Sequence, residues 1–128
     1  MGRLQQNYID DYFDKVQELV CDTENVSGID IASKSQAAEI VMARQLVFYL
    51  MRCLIGTQVS LTALGRYYGK THATVIYSLM VIDNRRDTDR YFRQRLIEYH
   101  HQIDKIRLNT SYLFGCMEEL SLIELQHD

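Results

Sequence analysis

Residues 60–80 read SLTALGRYYGKTHATVIYSLM, and this run decides the fold. Ser60 precedes a short segment with Leu61, Leu64 and Tyr68 at helical spacing, and Gly69 follows it. A serine hydroxyl satisfies the free N–H groups of a helix start, and glycine accepts the left-handed conformation that ends one. Thr71 then stands as the cap of a second segment, in which Val75, Ile76 and Leu79 share one face. Two short helices joined by a glycine-containing turn predict a helix-turn-helix, with its second helix over about residues 71–81.

The flanking sequence extends the helical pattern in both directions. Upstream, Ile40, Val41, Ala43, Leu46, Val47, Leu50, Met51 and Leu54 form an apolar stripe, with Ser33 or Ser35 as the expected cap and Gly56 as the stop. Before it, Tyr8, Tyr12, Phe13, Val16, Leu19 and Val20 mark an amphipathic helix with an acidic opposite face. The turn-forming run TENVSGID ends that helix. Downstream, Phe92, Leu96, Tyr99, Ile103 and Ile106 alternate steps of four and three, and Leu113, Met117 and Leu120 continue the seam, with a break expected at Asn109, Thr110 and Ser111. No proline interrupts the chain and it holds only six glycines. An all-α fold follows, with a helix-turn-helix domain over residues 1–92 and a helical extension over 93–128. The apolar stripe of that extension must be covered, either by the domain itself or by a homodimer through residues 92–120.

Composition narrows the function classes. At 128 residues, 47% hydrophobic and 24% charged, the chain can bury one core without disulfide or metal support. No stretch was expected to approach the roughly 20 apolar residues of a membrane span, and the charged start MGRLQQNYIDDYFDK differs from a secretory leader, so a cytoplasmic protein is expected. Cys21, Cys53 and Cys116 are odd in number and far apart, which favours buried free thiols over a zinc site. His100 and His101 are adjacent, so on a helix they point about 100° apart and do not share a metal. Asp10, Asp11, Asp14 and Glu18 read as a solvated acidic face, and no nucleophile and base are spaced as a pair. Neither a catalytic site, a metal nor a cofactor is expected.

Charge is unevenly distributed along the chain. The net charge is −3, yet residues 31–92 carry eight basic and four acidic side chains. Residues 1–30 carry two and seven, and residues 93–128 four and six. A basic surface centred on the helix-turn-helix is the consequence. Lys70, Thr71, His72, Ala73 and Thr74 sit at the start of the second helix and offer ammonium, hydroxyl, imidazole and methyl groups. Those groups recognise base edges when a helix start points into the major groove of duplex DNA. Arg44, Gln45, Arg52 and Arg66 are candidates for phosphate contacts nearby.

At these residues the sequence resembles the C-terminal DNA-binding domain of the bacterial replication initiator DnaA. SKSQAAEIVMARQLVFYL followed by SLTALGRYYGKTHATVIYS is similar, in order, to that family's S-K-S-R, E-I-V-x-A-R-Q and S-L-x-x-I-G-x-x-F-G-G-R-D-H-T-T-V-I-H, over about Val16 to Met80. The resemblance implies that Lys34 approaches the minor groove and that Arg44 and Gln45 contact phosphates. It implies that Ser60 and Leu61 meet the DNA backbone, and that Lys70, His72 and Thr74 belong to the reading turn, His72 foremost. Four departures stand out. Gln36, Ala37 and Ala38 replace a basic run, Thr71 replaces an aspartate able to accept from cytosine, Ala73 replaces a threonine, and one glycine, Gly69, stands where two are typical. The initiator's phosphate loop, G-x-x-x-x-G-K-[ST], does not occur. Gly69-Lys70-Thr71 lacks its earlier glycine, so no nucleotide is expected. The resemblance thus implies sequence-specific binding of double-stranded DNA without ATPase activity, in replication initiation or its control. Transcription of a mobile element, and a protein-interaction module that keeps the fold without DNA binding, are the rival readings.

Overall fold

The computed structural model describes residues 5–118, with side chains through residue 107. Helix α1, Gln6–Glu24, ends where Asn25 turns left-handed at φ 60° and donates its N–H to the Cys21 carbonyl. Helix α2, Gly28–Ala32, is a single turn that periodicity did not reveal, opened by the Ser27 hydroxyl accepting from the Asp30 N–H at 3.0 Å. Helix α3, Ala38–Ile55, starts later than expected, at a cap residue, Ala37, that has no capping side chain. Ser33 and Ser35 instead accept from the N–H groups of Ser35 and Ala37, at 3.1 and 3.2 Å, and so shape the loop before α3. Gly56, at φ 56°, ends the helix as expected, and a 3-10 turn, Gly56–Gln58, follows.

Three more helices complete the described residues: α4, Leu61–Arg66; α5, His72–Thr88; and α6, Arg90–Glu118. The backbone of α6 runs through Asn109, Thr110 and Ser111, where a break was expected. No strand occurs among the described residues, so the architecture is all-α.

Helix α3 forms the centre. Every residue from Ala43 to Met51 is buried. The stretch Ala38–Gln58, α3 with the 3-10 turn after it, has the length and mean hydropathy, 1.4, that a membrane span would show, contrary to the expectation from sequence. The apolar surface is consumed internally, by α1 through Tyr12, Phe13, Val16 and Val20 and by α6 through Phe92, Leu96, Tyr99 and Ile103. Burial of each such side chain is worth about 1.5–3 kcal/mol, and together they tie both ends of the described chain to one core.

The stripe of α6 is therefore covered within the protein as far as Ile103, with Ile106 half-buried against it, and those residues are not offered to a second copy. Leu113, Met117 and Leu120 lie outside the described side chains. The boundary after residue 92 falls inside the first turn of α6, and the core runs continuously from Ile9 to Ile103. Polar contacts reinforce the docking. Glu24 accepts from Arg95 and from the Tyr99 hydroxyl, and the Arg85 guanidinium lies 4.4 Å over the Phe92 ring.

Candidate nucleic-acid interface

Four local features build the turn between α4 and α5. The Ser60 hydroxyl accepts from the Ala63 N–H at 3.0 Å and opens α4. Gly65 then lets the chain fold back on itself. A Cβ at this position would lie 2.5 Å from the Lys70 carbonyl oxygen, and the Gly65 carbonyl accepts from the Lys70 N–H at 2.9 Å. Gly69, at φ 66°, supplies the left-handed residue between the helices. Thr71 caps α5 by accepting from the Thr74 N–H at 3.4 Å.

Helix α5 is anchored by Val75, Ser78 and Ile82, with Leu79 half-buried. The buried Ser78 hydroxyl donates to the Thr74 carbonyl at 2.8 Å, which satisfies it without an outside partner. This corrects the expected inner face. Ile76 is 41% exposed, because the small Ser78 takes the position facing the core. The first turn is left open: Thr71, His72, Ala73 and Thr74 are exposed and Lys70 is half-buried beside them.

The turn is also fastened to α1, through a tyrosine pair whose role was not evident from spacing. Tyr67 stacks on Phe13, with ring centroids 3.9 Å apart, and donates to the Asp10 carboxylate. Tyr68 donates to Gln17 at 2.6 Å. The Tyr67 bond, followed by one from Gln6, holds the Asp10 carboxyl below the usual aspartate range. Burial, and then Asp10, pushes the Tyr67 hydroxyl upward, and burial does the same to Tyr68.

The loop before α3 forms the second wall of the site, and Arg44 organises it. Arg44 is 4% exposed, and its guanidinium donates to the carbonyls of Ile31 (2.8 Å), Ser33 (2.6 Å) and Ser35 (2.9 Å). The last two bracket Lys34, whose side chain is exposed. In this structure, then, the Arg44 guanidinium is engaged inside the protein, and Gln45 is buried beside it. Between the loop and α5 lies a cleft of about 130 Å³, lined among others by Gln36, Gln45, Lys70, Thr74 and Tyr77.

The charges differ in kind across the molecule. Lys15, Arg85, Arg86, Arg95 and Arg107 are each paired with a carboxylate. Lys34, Arg66 and Lys70 form no ion pair among the described residues, although Arg66, like Ser60, is exposed. Leu61 is half-buried at the start of α4, and Arg52 donates to the carbonyl of Val59, the residue before Ser60. Cys21 and Cys53 are free, half-buried thiols. No three His, Cys, Asp or Glu side chains among the described residues converge as a metal requires. The residues brought together are those of an open helix start with Lys70 beside it. Ile76, which the sequence assigned to the inner face, and Tyr77 and Met80, which the sequence reading passed over, are exposed neighbours on the next turns of α5. Their spacing from Ala73, of three, four and seven residues, was the available signal.

Comparison with known proteins agrees with this geometry. Residues 13–82 match the family described as the bacterial DnaA protein helix-turn-helix. The chain is 40% identical over 75 residues, 58% of its length, to the chromosomal replication initiator protein DnaA of Gloeobacter violaceus, of which this covers 16%. It is 31% identical over 93 residues, 72% of its length, to the protein of that name from Borrelia turicatae, covering 19% of it. A third relative, chromosomal replication initiator protein DnaA 2 of Chlamydia pneumoniae, is 34% identical over 67 residues, 52% of this chain and 14% of the relative. The chain thus spans less than a fifth of the length of these relatives. No solved structure matches it.

Proposed function

Because this chain belongs to the bacterial DnaA helix-turn-helix family, we propose that it binds double-stranded DNA sequence-specifically, with the first turn of α5 in the major groove and no ATPase activity of its own. The observation that carries this reading is the open turn Thr71–Thr74 with Lys70 beside it, a cation that forms no ion pair among the described residues. His72 reads a base edge from the first position of α5, and Lys70 and Thr74 donate beside it. Thr71 accepts in its cap and keeps its own proton to donate, and Ala73 offers only a methyl group.

Lys34, Arg66 and Lys70 neutralise phosphates, and the Ser60 hydroxyl, which accepts within α4, still has its own proton to donate. Arg44 and Gln45 support this surface from beneath. The relatives carry the name of chromosomal replication initiators, so the biological setting we infer is replication initiation or its control, on chromosomal DNA in the cytoplasm.

Fluorescence anisotropy with a duplex pool tests the reading. Each neutralised phosphate contributes a salt slope of about −0.9, so three cations give a slope of about −3. Selection from the pool then supplies a preferred duplex. His72→Ala is expected to cost on the order of 1–3 kcal/mol on that duplex and far less on random DNA. Absence of binding by the intact chain even at low salt overturns the proposal in favour of a protein-interaction module.

A further inference from the structure

Helix α4 brings little of its own to the core. Its buried residues are Leu64 and Gly65, yet this short helix carries the turn that presents α5. That turn is tied back on itself: the N–H groups of Tyr68, Gly69 and Lys70 donate to the carbonyls of Gly65, Arg66 and Gly65 at 3.0, 3.1 and 2.9 Å. Residues 67–70 therefore move with α4 as one piece. Whatever holds Tyr67 and Tyr68 helps to set where the start of α5 stands.

The holder is α1. The Tyr67 ring lies on that of the buried Phe13, 7° from parallel with centroids 3.9 Å apart. Its hydroxyl donates to the Asp10 carboxylate and accepts from the Gln6 amide at 3.3 Å, and that amide also donates to Asp10 at 2.9 Å. One turn beyond Phe13, Gln17 accepts from the Tyr68 hydroxyl at 2.6 Å, and the Tyr68 ring leans on Phe13. The two tyrosines differ in standing. In the pattern S-L-x-x-I-G-x-x-F-G-G, Tyr68 falls at the phenylalanine, whereas Tyr67 falls at the unspecified position before it. Its bond to α1 is thus a feature of this chain rather than of the motif.

We propose that Tyr67 is a positioning residue for DNA binding, its bond to Asp10 clamping the turn to the first two turns of α1 and so holding the start of α5 in the direction that meets the duplex. The inference rests on the DNA-binding reading above and deepens it. The Tyr67 hydroxyl donates on one side and accepts on the other, so the residue acts through the turn and not on a phosphate. Asp10 is exposed, and an anion beside the turn repels DNA by its charge alone. What it supplies in return is an ionised acceptor, to which a hydroxyl bonds more strongly than to a neutral one. Charge and clamp therefore predict opposite consequences of removing the carboxylate.

The test is fluorescence anisotropy of the intact chain and its variants on a preferred duplex selected from a random pool, below the unfolding transition of each. Asp10→Ala is expected to weaken binding about threefold, near the low end of what one net hydrogen bond is worth. Tyr67→Phe, which keeps the ring on Phe13, is expected to show the same loss. The double variant is expected to lose about threefold, not the roughly ninefold of independent effects. Asp10→Asn, which drops the charge and keeps an acceptor for the hydroxyl, is expected to recover most of the affinity. Since Asp10 is exposed and Tyr67→Phe retains the ring, folding is expected to persist, and thermal unfolding verifies it. A bond that served stability alone would lower Tm and leave the affinity of the folded variants unchanged.

Tighter binding by Asp10→Ala, wild-type affinity for both single variants, or additive losses in the double variant each overturn the clamp while leaving the DNA-binding reading standing. Failure of the intact chain to bind any duplex defeats that reading and the clamp's role with it.

Discussion

Replacing Arg44 by alanine separates two roles for a residue that family resemblance places on DNA and the structure places under a loop. The guanidinium makes three close bonds, at 2.6, 2.8 and 2.9 Å, to the carbonyls of Ser33, Ile31 and Ser35. The Ile31 bond is buried, and the other two are partly buried. A hydrogen bond to a charged group contributes about 1.5–3 kcal/mol. Water can replace the two outer bonds in part, so a net loss of about 3 kcal/mol is expected rather than the full sum. For a domain of this size that lowers Tm by roughly 10–20 °C.

Lysine in the same place reaches one of these divergent carbonyls at most, and so restores about 1 kcal/mol. Thermal unfolding of both variants, beside Lys70→Ala as a comparison at a half-buried cation without an ion pair, measures this. Lys70→Ala is expected to change stability by less than about 0.5 kcal/mol and to flatten the salt slope by about one unit. Should Arg44→Ala instead keep the wild-type Tm and lose one unit of salt slope, the guanidinium faces phosphate in solution and the reasoning from its burial is refuted.

Two further perturbations follow from the turn and its anchors. Gly65→Ala sets a Cβ 2.5 Å from the Lys70 carbonyl and 3.2 Å from that of Thr71, whereas Gly28→Ala meets nothing within 4 Å. The first is expected to cost about 1–3 kcal/mol and to weaken DNA binding by displacing the start of α5. Equal stability and binding for the two variants would show that α4 and α5 do not approach so closely. Burial pushes the hydroxyls of Tyr67, Tyr68 and Tyr99 upward, assisted by Asp10 at Tyr67 and Glu24 at Tyr99. A raised folded value means that their contribution is whole below the unfolded tyrosine value of about 10 and is lost as pH rises above it. Tyrosinate absorbance and circular dichroism, read together up the alkaline range, are expected to change in step for these three groups, while complete ionisation of a protein with native dichroism contradicts their burial.

What was legible in the sequence divides along the range of the forces involved. The caps at Ser60 and Thr71 were readable because each hydroxyl acts on an N–H three residues away. The core stripe of α3 and the seam from Phe92 to Ile103 were readable because periodicity states which residues share a face. The start of α3 was not, since Ser33 and Ser35 are held by each other and by Arg44, nine and eleven residues further along, a pairing that no local pattern announces. Neither was the orientation of α5. A hydrophobicity pattern assigned Ile76 to the core and overlooked Ser78, which reaches the inside only because its hydroxyl is satisfied by the Thr74 carbonyl.

The same limit shapes the site. Motif and charge pointed to the open turn and to Lys34, Arg66 and Lys70, but pattern alone could not separate cations that face solvent from one that holds backbone carbonyls. That distinction carries functional weight. If Arg44 fixes the loop, then the basic residue between its two bonded serines is presented at a set height above the cleft, and the loss of charge at Gln36, Ala37 and Ala38 leaves Lys34 as the loop's one lysine or arginine between Ile31 and Glu39. A single cation confers little site preference by itself. Discrimination must then come from α5, whose open first turn presents His72 and Thr74.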